Sequence, residues 1–266
     1  MIKLPDQFAV FATFGRPKVD AVGIPRLARG EKDFVLDKTL ICKLDSGHLI
    51  RHGVAVPPSP QGEGYKPFNQ SFILIMLNTI HQYLTENLKP SRLAHTMNVA
   101  DLARSLCEKH GIDGEKGYLA GLLHDCTKQK STPEQLTLIE KYNIILEYTV
   151  ENMEPCLHAD TGAEVARDLF GIDDEIYNAI KYHTLGRENM TDLEKIIYIA
   201  DKCEVGRDTQ LKKAPLWREM AGESLDKALL DIISDNIEYL ASKGAAPHAN
   251  TLAILSQLER STQKEV

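Results

Sequence analysis

The sequence contains no C-x-x-C pair, and its five cysteines (Cys42, Cys107, Cys126, Cys156, Cys203) are odd in number and widely spaced. That pattern excludes a disulfide-stapled secreted domain and predicts reduced thiols in a cytoplasmic protein. Long apolar runs are missing too. The longest, Phe72-Ile73-Leu74-Ile75-Met76-Leu77, stops at Asn78, far short of the roughly 20 residues that a spanning helix needs. The start, Met1-Ile2-Lys3-Leu4-Pro5-Asp6, lacks the apolar core and the small-residue cleavage site of a signal peptide. There is also no excess of basic charge: 31 Lys and Arg stand against 38 Asp and Glu, a formal net charge of −7. The basic residues form no stripe and no aromatic-basic platform, which disfavours nucleic acid or an anionic membrane as partner. A phosphate-bearing substrate stays open, because bound divalent ions reverse the local sign.

The length of 266 residues, with 43% apolar residues, suits one main soluble domain plus something smaller. No internal repeat is visible, and the oligomeric state is open, a homodimer included. Residues 1 to about 70 are rich in proline and glycine, and Pro57-Pro58-Ser59-Pro60-Gln61-Gly62-Glu63-Gly64 continues neither a helix nor a central strand. Phe34-Val35-Leu36 and Thr39-Leu40-Ile41-Cys42 have the composition of short strands but too little apolar surface to stand alone. His48 and His52 have a metal-like spacing without a helical pattern and read as solvated loop residues. The expected division is an irregular or disordered extension over 1–71 and a folded domain over 72–266.

From about residue 72 the pattern is helical. Residues 93–109 carry Val99, Leu102, Ala103 and Leu106 on one stripe, with His95 a turn earlier, and Gly111 is a left-handed stop beside a capping His110. Residues 115–125 are apolar on every side and predict a central helix delivering His124 and Asp125 into the core. Thr132-Pro133-Glu134-Gln135 reads as a helix start, with Thr132 as N-cap, Pro133 at the first helical position and Gln135 completing a capping box; a surface helix then runs toward Glu147. His158 begins a stripe with Gly162, Val165, Ala166 and Leu169 that closes at Gly171. After Asp173-Asp174-Glu175, the residues Ile176, Ala179, Ile180 and His183 share a face. Thr191-Asp192-Leu193-Glu194 is a second capping box, and its helix puts Leu193, Ile197 and Asp201 on one stripe. Residues 205–217 look irregular, a long amphipathic helix spans 224–242, and a last helix from about Asn250 packs Leu252, Ile254, Leu255 and Leu258.

A lone histidine on an apolar stripe is usually a core residue with a satisfied hydrogen bond. Here four histidines (His95, His124, His158, His183) and two aspartates (Asp125, Asp201) converge on buried faces or inner helix ends. Burying so many ionisable groups is costly unless a metal joins them. A donor set of imidazole and carboxylate without thiolate suits iron, manganese or zinc in a catalytic site. Six side chains exceed one tetrahedral ion. With Asp125 bridging they fit two: His95, His124, Asp125 and Asp201 on one, and Asp125, His158 and His183 on the other. Two ions about 3.5 to 4 Å apart can clamp a phosphoryl group during in-line attack.

These residues resemble the H...HD...D signature of the HD-domain metal-dependent phosphohydrolases. The fuller pattern is Leu122-Leu123-His124-Asp125-x-x-Lys128, Leu157-His158-Ala159, Tyr182-His183-Thr184-x-Gly186-Arg187-x-x-Met190 and Leu193-Glu194-Lys195-Ile196-Ile197-Tyr198-Ile199-Ala200-Asp201-Lys202. It is similar to the YqeK-type symmetrical bis(5'-nucleosyl)-tetraphosphatases of bacteria, over roughly residues 76–260. The resemblance implies an all-α HD-domain bundle and a two-metal centre, iron in known members. It also implies hydrolysis of diadenosine tetraphosphate to two ADP through a metal-bridging hydroxide that attacks a β-phosphorus. Lys128 would contact the scissile phosphate or the leaving group. Arg187 and Arg207, in loops beyond ligand helices, are candidates for gripping the polyphosphate.

Val205 stands where such proteins usually have proline, Cys126 reads as a packing residue, and the first 70 residues match nothing in the family. Met76 falls about where its chains begin, which raises an extended or misassigned start. Two other readings remain: an HD-type hydrolase of other nucleotides, and a nucleotide sensor without turnover. Gly117-Tyr118-Leu119 precedes the His-Asp pair and ends in leucine, so it does not supply the G-Y-P motif of cyclic-dinucleotide enzymes. The complete ligand set counts against the sensor.

Overall fold

Between residues 70 and 263, which the computed structural model describes, the chain forms helices and turns, with no strand among the described residues. The helices are α1 (Gln70–Asn87), α2 (Pro90–Lys109), α3 (Gly114–Leu123), α4 (Thr132–Tyr142), α5 (Val150–Met153), α6 (Leu157–Phe170), α7 (Asp174–Lys181), α8 (Asp192–Cys203), α9 (Ala214–Glu223), α10 (Leu225–Ser242) and α11 (Ala249–Gln263). Short 3-10 turns, Glu154–Cys156 and Val205–Arg207, precede α6 and follow α8. The all-α architecture expected from the periodicity is the one observed. The expected strands near residues 34–42, the loop at 57–64, and His48 and His52 lie outside the described residues. Met76 lies inside α1. No described helix is long and apolar enough to cross a membrane.

The core is laid down around α8, where Leu193, Ile196, Ile197, Tyr198, Ile199, Ala200, Asp201 and Cys203 are all buried. Helices α2, α7, α9 and α10 pack around it. Helix α3, expected to be central, lies along α2 and also touches α7 and α8. The α2–α3 contact is close because α3 places glycines on the facing side. A β-carbon on Gly121 would lie 2.6 Å from Ala100 Cα, and one on Gly117 2.9 Å from the Ala103 carbonyl oxygen. This approach sets His95 of α2 beside His124 at the end of α3, with ring centroids 5.5 Å apart. Gly121→Ala should therefore destabilise the fold by about 1–3 kcal/mol through overpacking against backbone. Thermal unfolding of the metal-free protein checks this, and an unchanged midpoint would contradict so tight a contact.

Local register differs from expectation in four places. The α4 capping box is formed one residue earlier, by Ser131 and Glu134, whose carboxylate accepts from the Ser131 N–H at 2.8 Å. Gln135, buried, instead turns inward and donates to the Thr127 carbonyl at 2.8 Å. Helix α4 stops at Tyr142 rather than near Glu147, because Asn143 takes the left-handed conformation (φ 52°) that asparagine tolerates better than most residues. Residues 214–217 begin a helix, α9, with Ala214, Trp217 and Ala221 buried at i, i+3 and i+7. In α11 Thr251, Ile254 and Leu258 face the core, and Leu252 is 44% exposed.

Candidate metal centre and active site

The α3 helix ends at Leu123, and the turns that follow place the buried His124 and Asp125 side by side in the core. The two oxygens of Asp125 face different partners. Its Oδ2 lies 3.4 Å from His124 Nε2 and 3.9 Å from His95 Nε2. Its Oδ1 lies 3.2 Å from His158 Nε2 and 3.8 Å from His183 Nε2. Asp201, from α8, places Oδ1 3.0 Å from His95 Nε2 and 3.8 Å from His124 Nε2. Two groups thus have donor atoms close enough to share an ion, His95–His124–Asp201 and His124–Asp125–His183. His158 Nε2 adjoins the second, 3.1 Å from His183 Nε2.

The outward-facing ring nitrogens explain why the inward ones are free. Nδ1 of His124, His158 and His183 lies 2.6, 2.8 and 2.6 Å from the carbonyls of Gly121, Pro155 and Ile180, each three residues earlier. A carbonyl only accepts, so these Nδ1 atoms carry the proton and each Nε2 presents its lone pair to the interior. The buried His124 Nε2 has no hydrogen-bond partner. The His158 and His183 Nε2 lone pairs face each other, an arrangement that repels unless a cation lies against both. Orphaned and opposed lone pairs in a dry site, with two carboxylates among them, fit divalent metal ions.

Burial pushes His183 well below its ordinary pKa, assisted by His158 and His124, and burial likewise lowers His158. Burial alone would raise Asp125, but His124 and His158 outweigh it and hold the carboxyl well below the usual range. For Asp201 burial is similarly outweighed by Lys202, His95 and His124. At neutral pH the aspartates are therefore anionic and His158 and His183 neutral, the forms that ligate metal. For His124, in contrast, burial is outweighed by Asp125 and Asp201, which push it up, so a bound ion would displace a proton there.

A basic rim surrounds the donors. Arg92 Nη1 donates to Asp125 Oδ2 at 3.0 Å, and Lys202 Nζ lies 2.8 Å from Asp201 Oδ2. Arg207 donates to the Asp201 carbonyl at 3.1 Å and to Oδ1 at 3.2 Å. Lys128 Nζ lies 3.2 Å from His158 Nδ1 and 3.3 Å from the Pro155 carbonyl. Beside it is a cavity of about 250 Å³ lined by Lys128, Lys130, Thr132, Gln135, Glu154, Pro155 and His158. Arg187 is engaged elsewhere: it donates two bonds to the buried Glu194 carboxylate, at 3.0 and 2.7 Å, and lies over the Tyr182 ring. The sequence pattern did not single out Arg92, and it gave no role to Lys202, quoted only as the end of a motif, or to Glu204, which contacts His95. Their signal was position: Arg92 is one helical turn before His95, and Lys202 and Glu204 follow Asp201 at i+1 and i+3.

Residues 92–206 match the HD domain family. The chain is 36% identical over 186 residues to the symmetrical bis(5'-nucleosyl)-tetraphosphatase of Halalkalibacterium halodurans, spanning 68% of this chain and 94% of that protein. It is 34% identical over 168 residues to the protein of the same name from Bacillus subtilis, spanning 63% and 87% respectively. Among solved structures it is similar to a Clostridium acetobutylicum protein described as a predicted HD-superfamily hydrolase involved in NAD metabolism. The TM-score is 0.66 at 35% sequence identity, covering 70% of this chain and 97% of that one.

Proposed function

Because the chain belongs to the family of symmetrical bis(5'-nucleosyl)-tetraphosphatases within the HD-domain hydrolases, we propose that it hydrolyses diadenosine tetraphosphate and related dinucleoside polyphosphates symmetrically. One water and one diadenosine tetraphosphate give two ADP. The observation that carries this reading is the Asp125 carboxylate, whose two oxygens address two separate histidine pairs. Asp125 would hold two ions together, with His95, His124 and Asp201 on one side and His158 and His183 on the other. The hard and borderline donors suit iron, with manganese or zinc as substitutes. When bound, such a pair supplies Lewis acidity for activating water and for neutralising charge on the phosphoryl oxygens.

The chain's own groups then have distinct tasks. Arg92 fixes the Asp125 carboxylate through Oδ2, and Arg207 and Lys202 fix Asp201. Lys128, lining the cavity beside His158, would meet the bridging or terminal oxygens of the scissile phosphate and stabilise the departing diphosphate. On the cavity wall Lys128 and Lys130 outnumber Glu154, which leaves net positive charge for a polyanion on a chain that is acidic as a whole. The odd number and wide spacing of the cysteines support a cytoplasmic setting for this work.

The test is product analysis. Protein loaded with iron or manganese and given diadenosine tetraphosphate should yield ADP alone on anion-exchange chromatography. AMP plus ATP would overturn the symmetrical cut, and no product from metal-loaded protein would favour a sensor.

A further inference from the structure

Three of the four site histidines are oriented by backbone carbonyls of their own helical turn, but His95 is oriented by a carboxylate distant in sequence. Its Nδ1 lies 3.0 Å from Glu204 Oε1, across 109 residues. Glu204 is 2% exposed, and its side chain has little freedom. Oε2 accepts from Asn98 Nδ2 at 2.7 Å and from the Gly206 N–H at 2.5 Å. A β-carbon on Gly206 would come within 2.9 Å of both carboxylate oxygens, so the glycine is what lets the carboxylate lie flat against the loop. On the opposite side of the ring, His95 Nε2 is 3.0 Å from Asp201 Oδ1. The imidazole is thus gripped between two acids, one of them in the metal centre.

We propose that Glu204 is a positioning residue for the metal centre: it holds His95 as the Nδ1–H tautomer with Nε2 aimed at the ion shared with His124 and Asp201. The inference rests on the metal-centre reading above. It makes the two ion positions unequal. The position at His95 has Glu204 behind it in addition to Asp201 and Asp125. The position at His158 and His183 has Asp125 and, against His158, the Lys128 amine. The first is therefore the tighter site and depends on Glu204, while the second does not.

Glu204→Gln distinguishes this from mere loop capping, because a glutamine of nearly the same volume has one acceptor and one donor group. With its oxygen toward Asn98 and Gly206, its NH₂ faces His95 and forces the proton onto Nε2. With its oxygen toward His95, its NH₂ faces two other donors. Removing such a supporting partner from a metal-binding histidine typically weakens affinity 10- to 100-fold.

Titration of metal-free protein with manganese(II), read by EPR of the free ion, should show two sites in the wild type and a loss of about 10- to 100-fold at only the tighter one in Glu204→Gln. In a His95→Ala background the same change should cost nothing more. ¹⁵N-imidazole NMR of metal-free wild type should show His95 protonated on Nδ1, an arm that needs no variant to fold. Wild-type affinity at both sites of Glu204→Gln, an undiminished loss on top of His95→Ala, or a wild-type His95 without a proton on Nδ1 would each overturn the proposal. If wild-type protein binds no manganese, the metal reading falls and Glu204 positioning falls with it. Two wild-type sites that Glu204→Gln leaves intact reject Glu204 positioning alone.

Discussion

Asp125→Ala is expected to remove metal and activity together. The wild-type carboxylate faces His95 and His124 with one oxygen and His158 and His183 with the other. Without it, four histidines remain with two carboxylates, Asp201 among them and Glu204 behind His95, against Arg92, Lys128, Lys202 and Arg207 as near neighbours. That surplus of positive charge repels a divalent cation in a site where solvent screens little. Turnover should fall by on the order of 10³-fold or more, since the loss removes the electrostatic stabilisation of the transition state rather than one donor of it. Metal content, by mass spectrometry of the purified protein, should fall below one ion per chain. Asp125→Asn keeps the shape and one acceptor oxygen, and should retain at most one ion. Full activity or two retained ions in Asp125→Ala would refute the joining role.

Lys128→Ala is expected to fold, keep its metal content and lose about 10²-fold in kcat, the size associated with removing one preorganised charge at a reacting phosphate. Among the described residues no ion pair joins Lys128 to a carboxylate; its amine rests against His158 and the Pro155 carbonyl. Burial pushes its pKa down, against the pull of Asp125 and Asp201. An amine kept half out of water without a paired anion is placed to take one from substrate. A KM change larger than the kcat change would mean ground-state binding only, and unchanged kinetics would return Lys128 to an ordinary solvated lysine.

Most of this centre could be read in the chain because ligands and helix pattern coincide. His95, His158 and Asp201 sit in register with apolar stripes, and His124-Asp125 terminates the helix that is apolar all round. The capping box at Thr191 and Glu194 was equally plain, since it involves residues three apart. What escaped was set by tertiary contact. Glu204 reaches His95 across 109 residues, and nothing in the local sequence marks a glutamate after a helix as the partner of a particular histidine. Arg187 has the sequence position of a phosphate-gripping loop arginine, yet Glu194, a capping residue seven positions on, takes up its guanidinium. Between Ser131 and Thr132 both side chains are capable N-caps, and the choice follows from Gln135 being drawn inward to Thr127. For α9 the buried triplet of Ala214, Trp217 and Ala221 was present, but charged neighbours obscured it.

The central claim, that one aspartate joins two ions, is tested most directly by anomalous X-ray diffraction from crystals of the metal-loaded protein. Two peaks about 3.5 to 4 Å apart are predicted, one beside Asp125 Oδ2 with His95, His124 and Asp201, the other beside Oδ1 with His158 and His183. A single peak, or two peaks that do not share Asp125, would contradict it.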